Sequence, residues 1–279
     1  MLTETTVAGI REVVGGLRSG GARVALVPTM GALHDGHLAL VDAARRSADI
    51  VVVSIFVNPL QFAPTEDFTR YPRTFEADSA ALSARGVACV FAPGVEEMYG
   101  PEALTVVAPR PYGELFEGAV RPAHFTGVLT VVAKLFNIVQ PDVAAFGQKD
   151  LQQLSLVRAM ARDLDFRVVV EAVDTAREAD GLAMSSRNRY LSEPDRIRAT
   201  QLYAGLSASR AAFARGERDP RLIAAAGEEV LSQDRELSVD YLAVVDPDNF
   251  ATPREAAIGN AVITAVRVGN TRLIDNVIL

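Results

Sequence analysis

Residues 50–57 read IVVVSIFV, an almost unbroken apolar run rich in β-branched side chains. Branching at Cβ stiffens χ1 and suits a pleated strand, while the lack of polar alternation leaves no face for water. Such a strand belongs in a parallel sheet, where helices cover both faces. The flanking segments agree. Arg23 to Val27 (RVALV) reads as a strand, and a helix from about Gly36 sets Leu40, Val41 and Ala44 on one face at spacings of three and four. Helices near 74–85, 126–139 and 149–164 then alternate with strands near 87–91, 143–146 and 166–173. Repeated strand–helix–strand order predicts an α/β fold with a Rossmann-like, doubly wound parallel sheet. Residues 92–125, rich in Pro and Gly, are expected to be largely irregular, and loops of that length often carry function.

After TAREADGLAMSSRN (175–188) the pattern changes. Helical segments near 193–214 and 220–231 precede strand-like runs at 239–245, 261–268 and 272–279. Helices followed by sequential strands predict a smaller C-terminal α+β domain. We therefore expect a nucleotide-binding domain over 1–176 and a second, lid-bearing domain over 177–279.

Charge and cysteine content restrict the function. A formal net charge of -7 opposes a broad nucleic-acid footprint, although it allows a local basic pocket. Cys89 stands alone, which excludes an internal disulfide and a cysteine-based zinc site. The first residues lack the basic and apolar regions of a secretory signal. The longest apolar runs fall far short of the ~20 residues that cross a bilayer. A cytoplasmic protein without membrane partners is expected.

Polar clusters stand where strands give way to helices. His34 and His37 lie three apart after the first strand, at the carboxyl edge where α/β sheets bind ligands. A helix N-terminus there offers N–H groups and positive potential to phosphate, two imidazoles can donate to it, and Gly31 and Gly36 allow close backbone approach. The alternative is a capped helix with two solvated histidines. Lys149 and Gln153, four apart after Phe146-Gly147-Gln148, suit a phosphate and a polar substrate group, or a solvated face. Met184-Ser185-Ser186-Arg187-Asn188 suits a mobile clamp over a triphosphate, or an exposed linker. Asn58 and Gln61 follow the buried strand and fit hydroxyl or carboxylate binding, with a turn role for Asn58 before Pro59 the alternative.

PTMGALHDGH, SIFVNPLQF, YPRT, RPAHFTGV, FGQKD and READGLAMSSRN occur in that order, with VDYLAVVDPDNF nearer the C-terminus. Together they resemble the pantothenate synthetase (pantoate–β-alanine ligase) family of the HxGH nucleotidyltransferase superfamily. The resemblance implies ATP-dependent condensation of pantoate with β-alanine through a pantoyl-adenylate, with Mg2+, in a homodimer. By position it implies ATP contacts from Met30, Gly31, Ala32, Leu33, His34, Asp35, Gly36 and His37, with His37 as proton donor and His34 assisting. Gly147, Gln148, Lys149 and Asp150 would hold the nucleotide, Ala176 would replace the family's usual valine, and Met184, Ser185, Ser186 and Arg187 would form a lid. Gln61 and Gln153 would bind pantoate, Asn58, Tyr71, Arg121 and His124 would line its surroundings, and Asp78 would be linked to magnesium.

Three other classes share parts of this pattern. An aminoacyl-tRNA synthetase needs an added RNA-binding domain, and the length and acidity leave no obvious room for one. A nucleotidyltransferase acting on phosphorylated substrates calls for more Lys and Arg beside the HxGH motif. A non-enzymatic nucleotide binder does not need His34, His37, Lys149 and Arg187 together.

Overall fold

The computed structural model describes residues 1–64, 66, 68–101, 103, 105–109 and 111–279. The chain forms two compact units, Met1–Gly147 with Leu156–Val173, and Gln148–Ser155 with Asp174–Leu279.

The first unit contains β1 (Leu2–Glu4), α1 (Val7–Leu17), β2 (Val24–Thr29), α2 (Asp35–Ser47), β3 (Ile50–Ile55), α3 (Phe75–Ala84), β4 (Cys89–Phe91), α4 (Val95–Met98), α5 (Glu117–Val120), α6 (His124–Val139) and β5 (Val143–Gly147). It also holds most of α7 (Leu151–Asp163), and β6 (Val169–Val173). Its strands form a parallel sheet in the order β1-β4-β3-β2-β5-β6. Successive strands run outward from β2 to one side and from β5 to the other, so the order reverses between these two. Ligand crevices in open α/β sheets lie at that reversal, beyond the strands' carboxyl ends. Val51, Val52 and Val53 are buried, as an unbroken apolar strand requires. One face of the sheet packs Val27, Val53 and Val90 against Leu38, Val41 and Ala44 of α2 and Leu82 of α3.

The second unit holds α8 (Glu193–Ala199), α9 (Gln201–Ala214), α10 (Pro220–Leu231), and an antiparallel sheet of β7 (Leu237–Val245), β8 (Ala261–Val268) and β9 (Thr271–Ile278) in that order. Leu202, Leu206, Ile223 and Leu231 pack there against Val244, Val262 and Val266.

Several elements depart from the sequence reading. β1 and α1 were not foreseen, because paired glycines at 15 and 16 dilute the apolar stripe that Ile10 and Val14 bury. Thr6 caps α1 by accepting the Gly9 N–H at 3.0 Å. The helix expected from 149 begins as a tight 3-10 turn over Gln148–Asp150, and α7 starts at Leu151. Lys149 therefore stands in the turn and not on the face of the α-helix that carries Gln153. The helix expected over 193–214 divides at Thr200, whose hydroxyl donates to the Ile197 carbonyl at 2.7 Å. The compact units part after Val173, and the second takes in 148–155 as well. The expected cut at 176/177 was contiguous because a sequence reading cannot reassign an internal segment.

Candidate active site

β2 ends at Thr29, and residues 30–34 carry the chain into α2. Gly31 and Ala32 both have positive φ, 79° and 51°. That region is costly for alanine, so the turn needs outside support. Asp78 of α3 provides it. Its Oδ2 accepts the Ala32 N–H and its Oδ1 the Leu33 N–H, each at 2.9 Å, and the Thr74 hydroxyl lies 3.2 Å from both oxygens. A Cβ at Gly31 would come within 3.1 Å of Asp78 Oδ2 and of Ile55, a second reason for glycine there. The magnesium role expected of Asp78 gives way to this one: a buried carboxylate already accepting three donors holds the turn.

His34 is the N-cap of α2. Its Nδ1 accepts the Gly36 N–H at 3.2 Å, and His37 Nδ1 accepts the His34 N–H at 3.3 Å. The two readings of these histidines are therefore not alternatives. A backbone N–H only donates, so each Nδ1 is a bare lone pair, and the neutral ring of each carries its proton on Nε2. The ring centroids lie 4.1 Å apart, with the planes tilted by 42°. Helix capping thus fixes Nε2 as the protonated nitrogen of each neutral ring. It also occupies two of the first N–H groups of α2, leaving fewer for an anion than the helix N-terminus alone suggested. Asp35 adds an acidic group to the first turn, where the helix dipole favours it. Gly36 lies within that turn and is absent from the positive-φ positions.

Beyond β3, Pro59–Gln61 form a single 3-10 turn. Asn58, 1% exposed, donates to the Gly127 carbonyl at 3.0 Å and to Gln61 Oε1 at 3.1 Å. Its Oδ1 accepts the Tyr99 hydroxyl at 2.8 Å and the Leu60 N–H at 3.3 Å. Burial raises the Tyr99 hydroxyl above its ordinary pKa, which keeps it a donor. Both ends of the Asn58 amide are thus engaged within the protein, and the turn role prevails over substrate binding. Gln61 Nε2 donates to Met30 Sδ at 2.9 Å. A thioether is a weak acceptor, so a better one can displace it.

Arg121 and His124, expected near the substrate, hold the main chain of Gln61. Arg121 meets Glu66 with two bonds of 2.7 Å. Its Nη1 lies 3.0 Å from His124 Nε2, and His124 Nδ1 lies 2.8 Å from the Gln61 carbonyl. Because arginine only donates, His124 accepts at Nε2 and donates from Nδ1. Burial, and then the Arg121 charge, push His124 down to about 4. Burial raises Glu66, but the Arg121 bonds and charge outweigh it and lower its pKa. Tyr71 is buried edge-on against Phe62, 6.0 Å between centroids. Cys89 is buried in β4 with its thiol pushed up to about 11 by burial, which removes it as a nucleophile.

In the second unit, Ala176 and Met184 close a short hairpin, the Met184 N–H donating to the Ala176 carbonyl at 2.9 Å, with Arg177 bridged to Ala183. Ser185 Oγ accepts the Arg187 N–H at 3.2 Å, and Asn188 Nδ2 donates to Glu178 Oε1 and the Ala183 carbonyl. Residues 184–187 are thus anchored at each end. Arg177 pairs with Asp275 through bonds of 2.6 and 2.9 Å, and Asn276 Nδ2 donates to the Gln148 and Lys149 carbonyls, both at 2.9 Å. Burial raises the Asp275 carboxyl in spite of Arg177.

The first unit brings together Met30, Gly31, Ala32, Leu33, His34, His37, Asn58 and Gln61, with Gly147 at the end of β5. The second carries Gln148, Lys149, Asp150, Gln153, Ala176 and 184–187. Glu66, Tyr99, Arg177, Asp275 and Asn276 escaped the sequence reading. Asp275-Asn276 is a polar pair inside the apolar run RLIDNVIL, and Arg177 opens the READGLAMSSRN motif; both were signals in the sequence.

The family model for Pantoate-beta-alanine ligase matches residues 3–278. The pantothenate synthetase of Acidobacterium capsulatum is 52% identical over 286 residues, covering 98% of this chain and 95% of that protein. That of Moorella thermoacetica is 48% identical over 275 residues, covering 98% and 97%. The crystal structure of the pantothenate synthetase from Thermus thermophilus aligns with a TM-score of 0.94 at 51% identity, covering 99% of both chains. The pantoate-beta-alanine ligase from Francisella tularensis, whose crystal structure is a complex with beta-gamma ATP and beta-alanine, aligns with a TM-score of 0.80 at 28% identity over 100% of this chain and 97% of that one.

Proposed function

The chain belongs to the pantoate–β-alanine ligase family, and from that premise we propose that it joins pantoate to β-alanine in two steps at the expense of one ATP. A pantoate carboxylate oxygen attacks the α-phosphorus of ATP, the bond to the bridging oxygen breaks, and pyrophosphate leaves. The β-alanine amine then attacks the acyl carbon of the pantoyl-adenylate, and AMP leaves as pantothenate forms. No covalent enzyme intermediate is needed, so catalysis comes from positioning and from stabilising charge on phosphorus.

The observation that carries this reading is the reciprocal capping of His34 and His37 at the carboxyl end of β2. It puts the proton of each neutral ring on Nε2, and in the proposed reaction these N–H groups turn to phosphate oxygens as negative charge builds there. His37 is the principal donor and His34 its neighbour. Lys149 contributes a point charge to the phosphates, Gln153 and Gln61 bind pantoate, and Gln61 exchanges its weak Met30 acceptor for a substrate oxygen. The backbone at Gly147, Gln148, Asp150 and Ala176 borders the nucleotide, and Met184–Arg187 close over it.

Among the described residues, no group of three or more His, Cys, Asp or Glu could hold a metal ion, and Asp78 is spent on the 31–33 turn. Protein ligands for magnesium therefore do not fit here; the ion would enter on the ATP phosphates, as magnesium commonly does. We extend the reading to a homodimer, in keeping with exposed Val169 in the outermost strand β6 and exposed Leu164 before it. We place the enzyme in the cytoplasm; no described helix is long and apolar enough to cross a membrane.

Rapid-quench measurement of a single adenylation turnover tests the assignment. His37→Ala should slow pantoyl-adenylate formation by ~10²-fold or more, with the variant still folded and melting a few degrees lower for the lost cap. An unaltered rate in the folded variant would remove His37 from the chemistry.

A further inference from the structure

Asn276 lies in β9 and is 3% exposed. Its side-chain nitrogen donates to two consecutive carbonyls, those of Gln148 and Lys149. Its Oδ1 has no hydrogen-bond partner among the described residues, so the amide is committed to its donor side. Turned over, the oxygen would face two carbonyls. Both main-chain groups of Asn276 are fixed as well. The N–H donates to Asp275 Oδ1 at 2.8 Å, and the carbonyl accepts from Arg177 Nη2 at 3.1 Å. Arg177 is held in turn by its paired bonds to Asp275, by the Tyr203 ring 4.1 Å away, and by the Gly181 carbonyl at 3.0 Å.

Asp275 and Asn276 occupy a strand that otherwise supplies Leu273 and Val277 to the core of the second unit. Well-packed apolar residues in place of a buried ion pair are often as stabilising or more so. Stability alone therefore does not account for Arg177, Asp275 and Asn276. A fixed location for residues 148–149 does.

We propose that Asn276 is a positioning residue for adenylation: it sets the main chain from which Lys149 reaches the phosphates, while Arg177 and Asp275 hold Asn276 itself. The inference rests on the role given to Lys149 above. Catalytic groups tolerate little misplacement, since an error of about 1 Å can cost 10²-fold.

The test is a double-mutant cycle read by pantoate-dependent exchange of labelled pyrophosphate into ATP. Lys149→Ala and Asn276→Ala should each lower kcat for exchange, by ~10²-fold and ~10-fold, with the KM for pantoate nearly unchanged. Asn276→Ala should then cost almost nothing further in the Lys149→Ala background. If Lys149→Ala lowers exchange but Asn276→Ala is silent, or costs the same in both backgrounds, the positioning role is overturned and the role of Lys149 stands. If Lys149→Ala leaves exchange intact, the reading of Lys149 fails and the inference fails with it. Should Asn276→Ala not fold, Asn276→Ser, with a single short donor, is read in the same cycle.

Discussion

A histidine three residues from another is an ambiguous signal, and the structure resolves it through one atom in each ring. Nδ1 of His34 and of His37 accepts a backbone N–H, so each ring caps the helix while its neutral form keeps the proton on Nε2. His124 shows the opposite use. Held neutral between Arg121 and the Gln61 carbonyl, it ionises only near pH 4, whereas an unfolded chain takes up that proton near 6.5. The unfolded state then binds more protons across that window, so stability is lost as pH falls from about 6.5 to about 4, by roughly 3 kcal/mol, with no further loss from this group below. Glu66, whose pKa is lowered, adds a loss at the acid end. Urea unfolding of the protein and of His124→Gln at pH 7 and pH 4.5 checks this: the unsubstituted protein should lose more. Equal losses would contradict it. At this scale residue types were legible and partners were not. Asp78, Arg121 and His124 were all picked out near the site, yet a sequence does not say which carbonyl or N–H will occupy a carboxylate, a guanidinium or an imidazole.

Among elements, the contact between α6 and the 59–61 turn depends on a missing methyl group. A Cβ at Gly127 would lie 2.2 Å from the Leu60 carbonyl oxygen and 2.6 Å from the Gln61 nitrogen, both backbone atoms that cannot swing aside. Gly127→Ala should therefore destabilise the protein by about 1–3 kcal/mol and raise the KM for pantoate several-fold by displacing Gln61. Thermal melts and steady-state kinetics decide this, and an unchanged KM would show that Gln61 tolerates the shift. The 184–187 segment, anchored by Met184 and Asn188, is the stretch we propose as a lid over ATP. Protease cleavage there should slow when ATP and pantoate are both present; equal cleavage with and without them would deny the lid. Long periodic elements such as α2 and α6, and the unbroken β3, were readable because burial imposes a pattern on them. α1, the 3-10 turn at 148–150 and the break at Thr200 were not, since glycine pairs, tight turns and side-chain bonds to carbonyls leave no periodic trace.

For the whole molecule, the reversal of strand order between β2 and β5 marks where a parallel sheet can receive a ligand, and the HxGH residues stand at the end of β2. That alternation of strands and helices, followed by a separate α+β unit, followed from hydrophobic pattern alone. The assignment of 148–155 to the second unit did not, because its partners, Asn276 and Pro247 among them, lie about a hundred residues away or more. The family match over residues 3–278 leaves the chemistry as the claim to be measured. Isotope exchange between pyrophosphate and ATP, run without β-alanine, addresses it most directly. The account predicts that label enters ATP when pantoate is supplied and stays out when it is omitted. Exchange independent of pantoate, or none in its presence, would contradict it.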